Sequence, residues 1–185
     1  MEISGKMEED FAALKELLPA EDILSFDFAA EGGIAFRILY CDPVTDKELL
    51  GTLVVRPLMH YRGGRRAEEV GEKLASPEMR AFSDLNELAG EVLAGNPVLL
   101  WDGMDEALVV GTKKVFLRAV MEPPTNVAVK GPREGFIEDV KVNTSLVRRR
   151  LKTGELKVEF LKIGRRSQTF VALCYLEGTA EEAFV

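Results

Sequence analysis

The chain has 185 residues, 46% hydrophobic and 30% charged, with a net charge of −7. That balance buries one large core or two small ones and excludes disordered, collagen-like and disulfide-scaffold classes. Its longest apolar runs, such as residues 97–101 and 170–174, fall far short of the ~20 residues that cross a bilayer. The first six residues lack the basic-then-apolar layout of a secretion signal. The two cysteines, Cys41 and Cys174, suit a reducing compartment as small buried side chains.

Phe11, Leu14, Leu17 and Leu18 lie on one helical stripe that Pro19 closes, which predicts a first helix. Strands are expected over residues 23–28 and 34–41, joined through Gly32-Gly33 in a hairpin turn. Residues 46–61 read as a helix bent near Pro57, followed by the basic loop Arg62-Gly63-Gly64-Arg65-Arg66, taken as a solvated turn. A helical stretch over 67–74, a short strand over 79–82 and a helix capped by Ser83 or Asp84 come next. Strands 98–101 and 107–110 form a second hairpin across Asp102-Gly103-Met104-Asp105. Asp102, Asp105 and Glu106 lack the ligand spacing of a calcium loop, so turn chemistry explains them better.

Residues 121–132 are broken by Pro123-Pro124 and Gly131-Pro132 and read as an extended connector. A long helix follows, with Phe136, Val140, Val147 and Leu151 as its expected buried stripe and Asp139, Asn143 and Arg150 on another face. Residues 156–163 and 169–176 are strands around Gly164-Arg165-Arg166-Ser167. The hairpins at 23–41 and 156–176 suggest an internal repeat with an ungapped offset of 135 residues, setting Ile23 on Val158, Phe28 on Ile163, Phe36 on Val171, Ile38 on Leu173, Tyr40 on Tyr175 and Asp42 on Glu177. A helix follows the first copy near Asp46, whereas the second stops soon after Glu181-Glu182. This pattern is expected of a chain cut from something longer. The fold expected is α/β: an open mixed β-sheet built from repeated helix–hairpin units with helices packed on its faces, in one compact domain or two lobes.

Charge is uneven, since residues 1–130 hold 14 Lys+Arg against 23 Asp+Glu and residues 131–185 hold 10 against 8. A basic patch from Arg148 to Arg166 on an acidic chain argues against a general nucleic-acid binder. Catalytic sets are hard to assemble. His60 is the sole histidine, neither cysteine has a metal-ligand neighbour, and no phosphate-binding glycine loop occurs. Glu134 with Glu138 or Asp139 could serve general acid–base chemistry, but ion pairs on an arginine-rich helix explain them more simply. No metal and no cofactor is expected.

The segments Gly131-Pro132-Arg133-Glu134-Gly135-Phe136, Asn143-Thr144-Ser145-Leu146-Val147-Arg148-Arg149-Arg150 and Ile163-Gly164-Arg165-Arg166-Ser167 resemble the soluble N-terminal domain of the A-subunit family of GerA-type spore germination receptors. The likeness runs on through residues 99–108 and 172–178, so it covers at least 85–180 in order. Two departures are local: Lys113-Lys114-Val115-Phe116 replaces a Trp- and Gly-containing strand, and Thr153-Gly154 an Asp-Pro pair. The resemblance implies a non-enzymatic domain, residues 1–185, with lobes of about 1–125 and 126–185, truncated before a membrane domain. It implies signalling from nutrient sensing to ion release in the spore inner membrane, with B and C subunits and further copies of the chain as partners. The alternative is a substrate-binding-protein-like module that binds the nutrient itself.

Arg133, Glu134, Asn143, Arg148, Arg149, Arg150, Arg165 and Arg166 are the candidate ligand- or partner-binding residues, because guanidinium forks suit bidentate carboxylate contacts. Arg150 and one of Arg165 or Arg166 are expected to tie the helix and the Gly164 turn to residues 132–136 through carboxylates or carbonyls.

Overall fold

The computed structural model describes residues 1–113 and 135–179. The connector 121–132, Arg133, Glu134 and Glu181-Glu182 lie outside the described residues.

Helix α1 (Met7–Leu17) buries Met7, Asp10 and Leu14 and ends where predicted, before Pro19. Strands β1 (Ile23–Ala29) and β2 (Ala35–Cys41) pair antiparallel, and Gly33 takes the positive φ of 83° that the turn needs. The helix bent near Pro57 is resolved into α2 (Lys47–Leu50), a π-helical turn (Gly51–Val55) and α3 (Arg56–Met59). Proline has no N–H for the ladder and its ring crowds the preceding turn, so the hydrogen bonds widen just before Pro57. Helix α4 (Ala67–Gly71), β3 (Met79–Phe82), α5 (Leu85–Leu93), β4 (Val98–Trp101) and β5 (Ala107–Val110) follow. Of the two expected caps for α5, Asp84 does the capping: its carboxylate accepts from the amides of Asn86 and Glu87.

The five strands form one open sheet in the order β1-β2-β4-β5-β3, all its pairs antiparallel. Strands β4 and β5 are buried along their whole length, which is why residues 98–101 read as an unbroken apolar run rather than an alternation. Trp101, fully buried, meets Phe36 at 5.9 Å between ring centroids and donates its indole N–H to the Arg65 carbonyl at 2.7 Å. The basic loop, exposed over residues 62–66 as a solvated turn should be, is also anchored there, since Arg65 donates to the Asp102 carbonyl at 2.6 Å.

The β4–β5 turn acids work as helix caps. Asp102 accepts from the first amide of α1, Met7 N, at 2.9 Å, and Asp105 from the first amide of α4, Ala67 N, at 2.9 Å.

Helix α6 (Val140–Arg150) leads into a second, two-stranded sheet of β6 (Leu156–Ile163) and β7 (Thr169–Leu176). The helix–hairpin unit recurs down to single hydrogen bonds. Ile23 N donates to Ala20 O at 3.2 Å and Leu156 N to Thr153 O at 3.3 Å; Asp42 N donates to Asp22 O and Glu177 N to Glu155 O, both at 2.9 Å. The repeat is not gapless. Its offset is 133 residues through the helix and into the first strand and 135 at the base of the second, because each strand of the second hairpin is one residue longer. Phe36, Ile38, Tyr40 and Asp42 keep their expected counterparts, whereas Ile23 and Phe28 fall on Leu156 and Leu161. A slip of two residues leaves each side chain on its original face, which is how an ungapped comparison still caught the pattern.

Candidate functional site

The candidate residues cluster on α6 and the hairpin after it. Asp139 caps the helix by accepting from Lys141 N at 2.8 Å and Val142 N at 3.3 Å. Asn143 holds the approach to the helix: its side-chain oxygen accepts from Ile137 N at 2.8 Å and its amide donates to Ile137 O at 2.6 Å. Asp10 does the matching task in the first copy, accepting from Ser4 N at 2.7 Å. Asn143 is thereby engaged inside the fold.

The buried face of α6 differs from the one predicted. It consists of Thr144, Ser145, Leu146 and Arg148, while Val140 and Val147 are half-buried, Leu151 is 39% exposed and Phe136 is 70% exposed. The reason is Arg148, whose guanidinium must face the first copy. Thr144 and Ser145 keep that polar face satisfied by donating back to the carbonyls of Lys141 and Val142 at 3.0 and 2.6 Å.

Arg148 is fully buried, and so is its partner, Asp22 in the α1–β1 loop. Two parallel bonds join them, Nε to Oδ2 and an Nη to Oδ1, each 2.7 Å. Two further guanidinium protons reach the carbonyls of Thr153 at 3.1 Å and Leu156 at 3.0 Å. Burial acts to lower the Arg148 pKa, but the Asp22 hydrogen bonds and charge outweigh it and raise it. In the first copy Lys15 occupies the equivalent place, donating to Ile23 O at 2.9 Å just as Arg148 donates to Leu156 O. Beside the pair, the Cys41 thiol lies 3.7 Å from Asp22. Burial first and the Asp22 charge second push that thiol far up, so it stays protonated and unreactive.

Further contacts bind the second unit to the first. Glu21 N donates to Val158 O at 3.3 Å, Glu21 accepts from Phe160 N at 2.9 Å, and Lys141 contacts Asp42 at 3.2 Å. Gly154 passes so close to the Leu17 carbonyl that a Cβ would strike its oxygen.

The other arginines behave differently. Arg149 is half-buried and Arg150 exposed in the last turn of α6, where positive charge favours the helix C-terminus. Arg165 and Arg166 form the hairpin tip, exposed together with Lys162. Residues 132–134, the far end of the tie expected from Arg150 and Arg165 or Arg166, lie outside the described residues. Asp22, which carries the most buried ionic contact, escaped the sequence reading; a comparison of the two copies that allowed a gap would have put Lys15 on Arg148 and drawn attention to the acid ahead of Ile23. Among the described residues, no group of three or more His, Cys, Asp or Glu side chains could hold a metal ion.

A sequence model described as "Bacillus/Clostridium GerA spore germination protein" matches residues 12–185. The uncharacterized membrane protein YfkQ of Bacillus subtilis is 32% identical over 183 residues, 97% of this chain and 36% of that protein. Spore germination protein KA of Bacillus subtilis is 28% identical over 174 residues, 91% of this chain and 32% of its own length. The chain thus spans about a third of the curated relatives it matches. The crystal structure of the N-terminal domain of the A subunit of the Bacillus megaterium spore germinant receptor GerK3 shares the fold, with a TM-score of 0.76 at 23% identity over 99% of this chain and 69% of that one. Among the described residues, no helix is long and apolar enough to cross a membrane.

Proposed function

The chain belongs to the GerA family of spore germination proteins, and from that membership we propose that it is the signalling and assembly domain of a nutrient germinant receptor. In this reading it is a non-enzymatic unit with lobes of about 1–125 and 126–185, held at the spore inner membrane by a membrane domain beyond these residues. It assembles with B and C subunits and with further copies of itself, and it passes nutrient sensing on to ion release.

The observation that carries this reading is the division of labour among the arginines. Arg148 is consumed inside the fold by Asp22, whereas Lys162, Arg165 and Arg166 stand together and exposed at the end of a projecting ribbon. Three clustered cations repel one another, and an acidic surface on a partner subunit relieves that repulsion. Arg165 and Arg166 are thus the partner-binding residues, while Arg150, at the end of α6, sits near the base of the hairpin rather than at its tip. The joint between the copies is bonded firmly enough to transmit a push on the tip to the five-stranded sheet.

The test is germination of spores carrying R165E/R166E in the full receptor subunit, followed by ion release after nutrient addition. The proposal expects release to fail while the subunit remains at its normal level. Normal release would overturn it. A nutrient-induced rise in the melting temperature of the 185-residue chain would favour direct binding by this domain instead.

A further inference from the structure

The second helix–hairpin unit carries an open groove between its helix and its second strand. About 330 Å³ lies open between α6 and β7. Val140 and Val147 line it from the helix, Phe136 from the segment before the helix, and Phe170, Val171 and Cys174 from the strand. Phe136 is 70% exposed and Phe170 43%. Among the described residues β7 pairs with β6 alone, and its outer edge runs beside an apolar trough. A two-stranded ribbon of this kind is marginal by itself and its edge invites another strand.

The first copy shows what the arrangement is built to receive. There the outer edge of β2 is taken by β4, antiparallel, with Phe36 opposite Trp101 and Leu39 opposite Val98. Helix α1 packs against β4 and against α5. All four residues of β4 are buried. Measured from the base of the hairpins, Phe36 and Leu39 correspond to Val171 and Cys174, two of the four β7 residues that line the open groove.

We propose that this groove receives an apolar β-strand, antiparallel to β7 across residues 171–174, from the polypeptide that follows Val185. This rests on the repeat and does not depend on the function proposed above. Two observations select the continuing chain as the occupant. The solved germinant receptor domain shares the fold over 99% of this chain, yet this chain accounts for only 69% of that domain. In the first copy, the covering strand comes from the polypeptide downstream of the hairpin itself. A strand tethered to the same molecule also has an effective concentration that a separate chain must match in solution.

Cys174 reports on the groove because it lines it and is half-buried, while Cys41, the other thiol, is fully buried. Native-state labelling with a maleimide, compared between the 185-residue chain and the chain continued through its reading frame past the Val185 codon, gives the test. The proposal expects Cys174 to react in the short chain and at least tenfold more slowly in the continued one. Backbone amide exchange over residues 171–174 should slow in parallel, which places the new strand on this edge independently of the thiol.

Equal labelling and exchange in both chains would overturn it. So would a stop codon directly after Val185. Protection of Cys174 already present in the short chain would also overturn it, assigning the groove to a second copy if protection rises with protein concentration and to this chain's own residues if it does not.

Discussion

Removing the Arg148 guanidinium, by Arg148→Met, leaves the buried Asp22 carboxylate without its two guanidinium bonds, with the Cys41 thiol at 3.7 Å. It also strips the Thr153 and Leu156 carbonyls of their Arg148 donors. Both side chains of the pair are 0% exposed, so solvent cannot compensate, and breaking a buried pair from one side costs about 3–5 kcal/mol. For a chain of this size that lowers the melting temperature by roughly 6–20 °C, at about 2–4 °C per kcal/mol. Arg148→Lys keeps the charge but cannot make two parallel bonds to Asp22, so it should lie between wild type and Met.

The assay is urea denaturation of wild type, Arg148→Met, Asp22→Asn and the double variant. Asp22→Asn leaves a buried guanidinium facing a neutral amide and should cost a similar amount. The double variant should be less destabilised than the sum of the singles by at least ~1 kcal/mol, since coupling within a contacting pair runs to about 3 kcal/mol. An Arg148→Met loss under about 1 kcal/mol, or strictly additive effects, would refute the reasoning.

Asn143→Ala should speed amide exchange at Ile137 and cost about 1–2 kcal/mol, because it leaves the amide and carbonyl of Ile137 without their partners; unchanged exchange at Ile137 would count against the pinning role. Gly154→Ala should destabilise by about 1–3 kcal/mol through the collision with the Leu17 carbonyl, read as a lower denaturation midpoint. R165E/R166E, on exposed positions, should move the midpoint by less than about 0.5 kcal/mol.

Burial works to raise the Asp42 pKa, but the Lys47 and Lys141 ammoniums outweigh it and hold the carboxyl below its ordinary value. The stability from Asp42 is therefore fully present above the ordinary carboxylate pKa and is lost as pH falls through the lower folded value. The midpoint gap between wild type and Asp42→Asn should narrow from pH 6 to pH 2, and a constant gap would contradict this.

Where the sequence was legible, local chemistry and tertiary packing agreed. Residues 156–163 and 169–176 came out as strands because alternation and the Gly164 turn point the same way, and Asp84 declared itself as a cap by its place before an apolar run. The face of α6 could not be read in this manner. Val140, Val147 and Leu151 form the more apolar stripe, yet the helix turns Thr144, Ser145 and Arg148 inward, because four hydrogen bonds to a buried guanidinium outweigh the pull of a few valines. That choice depends on Asp22, 126 residues away in sequence, and no local pattern encodes it. The π-helical turn before Pro57 was half legible: proline announced a bend, but not that it would take the form of a π-helical turn over Gly51–Val55 with Val54 buried. Of the candidate residues, the motif segments point to α6 and the hairpin after it, while the separation of Arg148 from Arg165 and Arg166 needed three dimensions.

The account turns on a basic hairpin tip that meets a partner subunit while Arg148 holds the domain together. Its most direct test is co-isolation of the B and C subunits from spore membranes with the tagged full-length subunit, wild type against R165E/R166E, with Arg148→Lys as the fold-weakening comparison. The account predicts that R165E/R166E loses the B and C subunits at unchanged subunit level and unchanged domain stability. Full recovery of both partners with the charge-reversed tip would contradict it.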